Sequence, residues 1–302
     1  AADSAARGPP KKLSIMSAHA VDLDSCMFEA MAAATEAGDE IKAAWHVERD
    51  VEYKGDVDLV TATDKKCEDL IFERLRGAFA THAFVGEESV AADNGQLPPI
   101  TDAPTWFVDP LDGTTNFVHG YPFSCVSIGL TLNKVPVLGV VLNPITGETF
   151  AAVQGRGATL NGEPISVSKV DELNKALIAT EIGVGRDEQT VDAIMTRVRR
   201  CVENCRSLRS SGSCAMNMCG VACGRLDAFY EIGFGGPWDC VGACVIVREA
   251  GGLVMDPSGS AFSITGRRVL CGNPQVATKL AQVLVTVPDG PQEPKAPGAS
   301  GE

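Results

Sequence analysis

Residues 106–120 read Trp-Phe-Val-Asp-Pro-Leu-Asp-Gly-Thr-Thr-Asn-Phe-Val-His-Gly. The apolar run Trp106-Phe107-Val108 predicts a strand that delivers Asp109 to its C-terminal end. Pro110 lacks the N–H that a ladder needs, so it stiffens a turn at that point. Asp112 follows, then Gly113, which lets the backbone approach a ligand closely. Thr114 and Thr115 can open a helix. Two carboxylates and a hydroxyl therefore crowd one strand-to-helix turn, and the free amides of that helix suit a phosphate. Carboxylates held this close repel unless a cation sits between them.

Three further segments share this character. Val85-Gly86-Glu87-Glu88-Ser89 places two glutamates just past a short apolar strand, in what reads as a loop. Gly235-Gly236-Pro237-Trp238-Asp239 puts Pro237 and Asp239 in the first turn of a helix, where proline is tolerated and a negative charge is favoured. Asp58-Leu59-Val60-Thr61-Ala62-Thr63-Asp64 precedes a helix and can cap it. Taken singly, each has a bland reading as a solvated turn or a cap. Together they supply a constellation of carboxylates at the ends of strands and the starts of helices.

Outward from these segments, the hydrophobic period sorts the chain into two lobes. Residues 20–46 and 63–79 show apolar positions at helical spacing. Strands are expected at 83–85, 106–108, 123–132, 135–142 and 148–153, with turns at Asn133-Lys134, Thr146-Gly147 and Asn161-Gly162. This gives an α+β lobe with antiparallel pairing over 18–166. Beyond it, strands at 177–180, 227–231, 253–255 and 268–270 alternate with helices at 187–204, 213–223, 238–250 and from 274. That alternation predicts an α/β lobe over 167–287. Residues 1–17 read as a flexible arm, and the Pro- and Gly-rich stretch 288–302 as a disordered tail.

The charge of −13 argues against a nucleic-acid partner and suits either a solvated surface or a site that collects divalent cations. No run of 18 apolar residues predicts a membrane span, and the first 14 residues lack an apolar signal core. The 11 cysteines are odd in number and several lie four apart, as Cys201 and Cys205, Cys219 and Cys223, and Cys240 and Cys244 do. They read as small helix-face residues of a reducing compartment rather than a disulfide framework. His19, His46, His82 and His119 have no zinc-ligand spacing, and no C-x-x-C occurs. An intracellular location, cytoplasm or chloroplast, is expected.

The chain resembles the inositol monophosphatases over about residues 20–285. The resemblance rests on WFVDPLDGTTNF and PWDCVGACVIVREAGG, supported by DLVTATD, SIGLT, KVPVLGVV and SLRSSGSCAMNMCGVACGRLDAFYE. Within the family it is most similar to plant-type enzymes acting on inositol monophosphate and L-galactose 1-phosphate. The resemblance implies an αβαβα layered sandwich, a homodimer, lithium sensitivity and hydrolysis by a water activated on two or three magnesium ions. Glu87, Asp109, Asp112 and Asp239 would supply the metal carboxylates, and Leu111 its carbonyl. Thr114, backed by Asp64, would orient the attacking water, with Glu87 part of the same catalytic set. The amides of Gly113 and Thr114 would hold the phosphate. Gly212, Ser213, Cys214, Glu231 and Asp239 would meet the substrate, a small phosphorylated polyol or sugar. Glu88 and Lys54 would act from outside the ligand set.

Three departures touch substrate selection. Val184 stands where the family usually has a serine, and Cys214 where the animal enzymes have alanine. The loop between Glu231 and Asp239 is also one residue longer than in the animal form. A sugar bisphosphatase or nucleotide 3′-phosphatase on the same fold is the enzyme alternative, and a metal-binding regulatory protein with an inactive site the non-enzyme one. An aspartyl-phosphate phosphatase would need two aspartates two apart near an N-terminal strand, whereas Asp109 and Asp112 are three apart and lie a third of the way along the chain.

Overall fold

A computed structural model describes residues 21–46, 51–53 and 59–297. The expected arm at 1–17 and Lys54 lie outside the described residues. In chain order the elements are α1 (Leu23–Ala44), β1 (Val51–Tyr53), β2 (Leu59–Thr61), α2 (Ala62–Ala78), β3 (Ala83–Gly86), α3 (Glu87–Ala92), β4 (Thr105–Asp112), α4 (Thr114–His119), β5 (Cys125–Leu132), β6 (Val135–Asn143), β7 (Glu148–Val153), β8 (Ala158–Leu160) and β9 (Glu163–Pro164). They are followed by β10 (Leu177–Thr180), α5 (Glu188–Asn204), β11 (Ser207–Arg209), α6 (Cys214–Ala222), β12 (Ala228–Ile232), α7 (Pro237–Glu249), β13 (Leu253–Met255), β14 (Arg268–Gly272) and α8 (Pro274–Leu284).

Strands β3 to β9 form one sheet in sequence order. Its pairs are antiparallel except β3 with β4, which run parallel, a departure from the expected antiparallel lobe. The second sheet runs β11-β10-β12-β14-β13, parallel on one side and antiparallel on the other. Three apolar clusters stack these into layers. Ala30, Ala33, Ala34, Ile71 and Leu75 of α1 and α2 pack on Trp106, Ile128 and Leu138 of the first sheet. Met216, Met218, Cys240 and Cys244 of α6 and α7 lie between Phe150 of the first sheet and Phe229 of the second. Cys201 of α5 and Leu280 and Leu284 of α8 cover the far face at Ile178, Tyr230 and Leu270. The order is helix, sheet, helix, sheet, helix, the expected αβαβα sandwich.

The middle layer explains the sequence of α7. A helix between two sheets has no solvent face, so Pro237 through Val247 are all buried and apolar or small, apart from Asp239. Glycine makes the close packing possible. A Cβ on Gly129 would lie 2.6 Å from the Gly242 nitrogen, and one on Gly242 would lie 2.7 Å from the Ile128 carbonyl oxygen. A Cβ on Gly139 would run into the Gly242 carbonyl. The helix therefore touches β5 and β6 backbone to backbone.

One stretch differs from its sequence reading. Residues 288–297, expected as a disordered tail, fold back on the second lobe. Glu293 is buried and paired with buried Arg197. Composition alone misled here, because a Pro- and Gly-rich segment orders when it answers a buried charge.

Gly139→Ala should destabilise the fold by roughly 1–3 kcal/mol, since the added methyl cannot fit without moving α7. A melting temperature lower by several degrees in differential scanning calorimetry checks this, and an unchanged one would refute the backbone contact.

Candidate active site

The four acidic segments converge although they are far apart in the chain. A cavity of about 470 Å³ is lined by Glu87, Asp109, Leu111, Asp112, Gly113, Thr114, Gly212, Ser213, Cys214, Glu231 and Asp239. Val184 lines it as well. Asp64 reaches the cavity through Thr114, and Glu88 is buried but does not line it.

Each acid is held by its own local structure. The β4–β5 register shifts between Asp109 and Asp112, where Pro110 interrupts the ladder. The strand nevertheless continues to Asp112, beyond its expected end at Asp109. Within the shift, the Leu111 amide donates to Asp109 Oδ1 at 2.9 Å. Gly113 follows at φ +90°, a conformation that favours glycine, and a Cβ there would lie 3.0 Å from the carbonyl oxygens of Gly212 and Phe123. Asp112 Oδ2 accepts from Ser213 Oγ at 2.6 Å and from the Ala215 amide at 2.7 Å, across the two lobes. Asp239 sits in the first turn of α7 behind Pro237, and its Oδ2 accepts from the Gly235 amide at 2.8 Å.

Burial dominates the electrostatics. Asp109 is pushed well above the usual carboxylate range by desolvation and then by the charges of Glu87, Asp112 and Asp239. Asp239 is raised likewise by burial, Asp112 and Glu87. Asp112 is also raised by burial but only to about 6, because Ser213 and backbone amides offset the penalty. Among the described residues no lysine, arginine or histidine forms an ion pair with Asp109, Asp112 or Asp239. Nor do the described acids, histidines and cysteines gather as a ready-made metal shell; the acids line one shared cavity instead. Their donors are all oxygen, and the neighbouring thiols Cys125 and Cys214 are held protonated by burial next to these carboxylates. Such a set fits a hard divalent cation and not a thiophilic one.

Thr114 has a defined polarity. Its hydroxyl lies 3.0 Å from Asp64 Oδ1 and 3.1 Å from the Leu111 carbonyl oxygen. Both partners are acceptors, so the one hydroxyl proton goes to them and the lone pairs are left to accept from a water. Asp64 is fixed by a capping box, in which its Oδ2 accepts from the Thr61 amide at 2.9 Å and from the Thr61 hydroxyl.

Residues 22–288 match the model of the inositol monophosphatase family. The chain belongs to the inositol monophosphatase family. Inositol monophosphatase 2 of Solanum lycopersicum is 59% identical over 244 residues, 81% of this chain and 92% of the relative. The inositol monophosphatase of Mesembryanthemum crystallinum is 52% identical over 264 residues, covering 87% and 97%. Both are plant proteins, in line with the plant-type resemblance. The solved structure of extragenic suppressor protein suhB from Bartonella henselae aligns with a TM-score of 0.78 at 32% identity, covering 86% of this chain and 98% of that one. Membership makes this chain a phosphatase-type hydrolase of a metal-dependent family. Among the described residues no helix is long and apolar enough to cross a membrane.

Three residues of this inositol monophosphatase fold escaped sequence reading. Glu68 accepts from the amides of Glu88 and Ser89 at 2.8 Å, and from the Ser89 hydroxyl. It thereby starts α3 and turns the expected Glu87-Glu88 loop into a helical turn. Its signal was an acid on the apolar stripe of α2, level with Cys67, Ile71 and Phe72. Glu181 accepts from the amides of Ser211 and Gly212 at 2.8 Å, from Asn217 Nδ2 at 2.7 Å and from Ser210 Oγ at 2.8 Å. Asn116 Nδ2 donates to the carbonyls of Phe123 and Ser211, each at 2.7 Å. Nothing local in the sequence marks these two, because their partners are distant in the chain.

Glu181→Ala strips an acceptor from two amides and a side-chain amide at once. It should cost about 1–3 kcal/mol of stability, read from urea unfolding. The loss of Gly212 placement should also lower kcat/KM. A variant with unchanged unfolding midpoint would contradict the role.

Proposed function

We propose that this chain is a magnesium-dependent phosphomonoesterase that hydrolyses inositol monophosphate and L-galactose 1-phosphate by direct attack of water. The observation that carries the reading is the convergence of Asp109, Asp112, Asp239 and Glu87 on one cavity beside the Thr114–Asp64 pair. Glu87, Asp109, Asp112, Asp239 and the Leu111 carbonyl would hold two or three magnesium ions. Bound magnesium would supply charge neutralisation for the phosphate and acidify a water.

The remaining roles belong to the chain itself. Thr114, its proton committed to Asp64 and Leu111, accepts a hydrogen bond from the attacking water and aims it. The Gly113 and Thr114 amides at the start of α4 hold phosphate oxygens. Glu231 lines the cavity with its buried Oε2 left unpartnered, ready to accept from a substrate hydroxyl. Gly212, Ser213 and Cys214 wall the alcohol side. By the family resemblance, Glu88 and Lys54 would act from outside the ligand set. Lithium sensitivity and a homodimer are further parts of this reading, carried by the family resemblance. All 11 cysteines are free thiols, which supports a reducing compartment, cytoplasm or chloroplast.

Asp109→Asn keeps the side-chain volume and removes a charge from the centre of the cluster. Turnover at saturating magnesium should fall below a tenth of wild type, with the circular dichroism spectrum intact. A faster variant would refute the metal assignment. Titrating magnesium should raise and then lower the rate, and lithium should lower the plateau.

Val184 offers no hydrogen bond to a substrate hydroxyl, and it is a half-exposed residue of the cavity wall. A wall without that partner discriminates between alcohols by only about 1–3 kcal/mol. The kcat/KM for L-galactose 1-phosphate should therefore equal or exceed that for inositol 1-phosphate. A value more than a hundredfold lower would refute the substrate assignment and leave the phosphatase reading standing.

A further inference from the structure

The family match ends at residue 288, yet the chain beyond it is built into the second lobe. Arg197 of α5 is 2% exposed, and a guanidinium that deep is costly unless it is paired. Among the described residues every side-chain partner of Arg197 comes from 288–293. Its Nη1 and Nη2 donate to the two Glu293 carboxylate oxygens at 2.6 and 2.8 Å. Nη2 also donates to the Pro288 carbonyl at 3.2 Å and to Asp289 Oδ1 at 3.3 Å. Arg268 of β14 is equally deep. Besides Asp256, it holds Asp289 Oδ1 at 2.8 Å and the Pro294 carbonyl at 2.7 Å. Two buried arginines thus pin the segment at both ends.

Between and beside the pins, the segment touches one loop of the cavity rim and lies beside a second. The Gln292 amide donates to Thr190 Oγ1 at 3.1 Å, and its Oε1 accepts from the Arg186 amide at 3.2 Å. A Cβ on Gly185 would lie 3.2 Å from that same oxygen. Pro294 Cδ lies 3.7 Å from where a Cβ on Gly233 would stand. Arg186 and Gly233 are cavity-lining residues, together with Val184 and Phe234. Arg186 in turn folds its guanidinium onto the carbonyls of Gly183 at 3.0 Å and Gly185 at 2.8 Å. No residue of 289–296 itself lines the cavity, and among the described residues none of them hydrogen-bonds Asp109, Asp112 or Thr114.

We propose that residues 289–296 are a strap that positions the 182–186 and 233–235 rim loops and so sets discrimination between substrate alcohols, with Gln292 its positioning residue. The discrimination part rests on the phosphatase reading above. The strap acts on the alcohol side of the cavity and leaves the phosphate side alone. Its effect should therefore scale with how much of the alcohol reaches the rim. A polyol ring meets the rim loops, whereas a three-carbon alcohol stays near the phosphate.

Gln292 is exposed, so Gln292→Ala in the full chain tests the strap without unpairing Arg197. The probes are inositol 1-phosphate and glycerol 2-phosphate at one magnesium concentration, with hydrogen exchange followed over 182–186. We expect the ratio of kcat/KM for inositol 1-phosphate to that for glycerol 2-phosphate to fall at least fivefold. The fall should be carried by KM, with kcat within twofold, and exchange at 182–186 should quicken. Gln292→Glu, which keeps the acceptor for the Arg186 amide, should restore the ratio. An unchanged ratio, or an equal loss with both esters, overturns the proposal. If the wild-type chain hydrolyses neither ester, the phosphatase reading fails and takes the discrimination claim with it. Exchange at 182–186 then still decides whether the strap holds the rim, and unchanged exchange refutes that.

Discussion

Asp109, Asp112 and Asp239 are buried where desolvation and neighbouring carboxylates raise the cost of ionising each, and the architecture resolves into the means of keeping them there. Two of them come from one strand end, where a proline breaks the ladder and a left-handed glycine turns the chain. The third comes from the N-terminus of a helix whose other side chains as far as Val247 are buried and apolar or small. Such a cluster separates if its supports yield. The supports are accordingly stiff: α7 seats on β5 and β6 through glycine, and Asp112 is bonded to α6 of the other lobe. Repulsion at the centre is opposed by packing all round it.

That same rigidity made much of the molecule legible in the sequence. Strands buried on both faces read as short apolar runs, and Trp106-Phe107-Val108 is fully buried as its composition implies. The α7 segment reads as a helix opening with proline, and the structure buries it from Pro237 to Val247 between the layers. The cysteines were legible too. Cys219, Cys240, Cys244 and Cys271 act as small apolar side chains at the middle of the sandwich, where burial keeps them protonated.

What could not be read shares one physical property: its meaning lies in a partner distant in the chain. Glu68 appears as a surface acid until it is seen to cap α3, and Gly86 then becomes necessary because a Cβ there would lie 2.5 Å from the Glu68 carboxyl carbon. Glu181 gathers donors about 30 residues away. The segment 288–297 looks unstructured by composition, and Arg197 looks like an ordinary helix arginine, until each is seen to answer the other. Local propensity carries no information about such pairs. The one available signal is a charged residue on an apolar stripe, and Glu68 and Arg197 both show it.

The two halves of the cavity are built on different terms. On the proposed reading, the phosphate side uses backbone amides, a strand bulge and helix starts, so its geometry follows from the path of the main chain. The proposed alcohol side uses loops: 182–186, 210–214 and 233–235. These loops owe their positions to side-chain contacts with Glu181, Asn116, Arg267 and Gln292. A side-chain contact can be exchanged without refolding a strand. It follows that substitutions at Val184 or Cys214 can retune which alcohol is accepted while the carboxylate cluster stays fixed. On the proposed reading chemistry and selectivity are separable, because strand and helix ends fix the carboxylate cluster while loop side chains set the alcohol side.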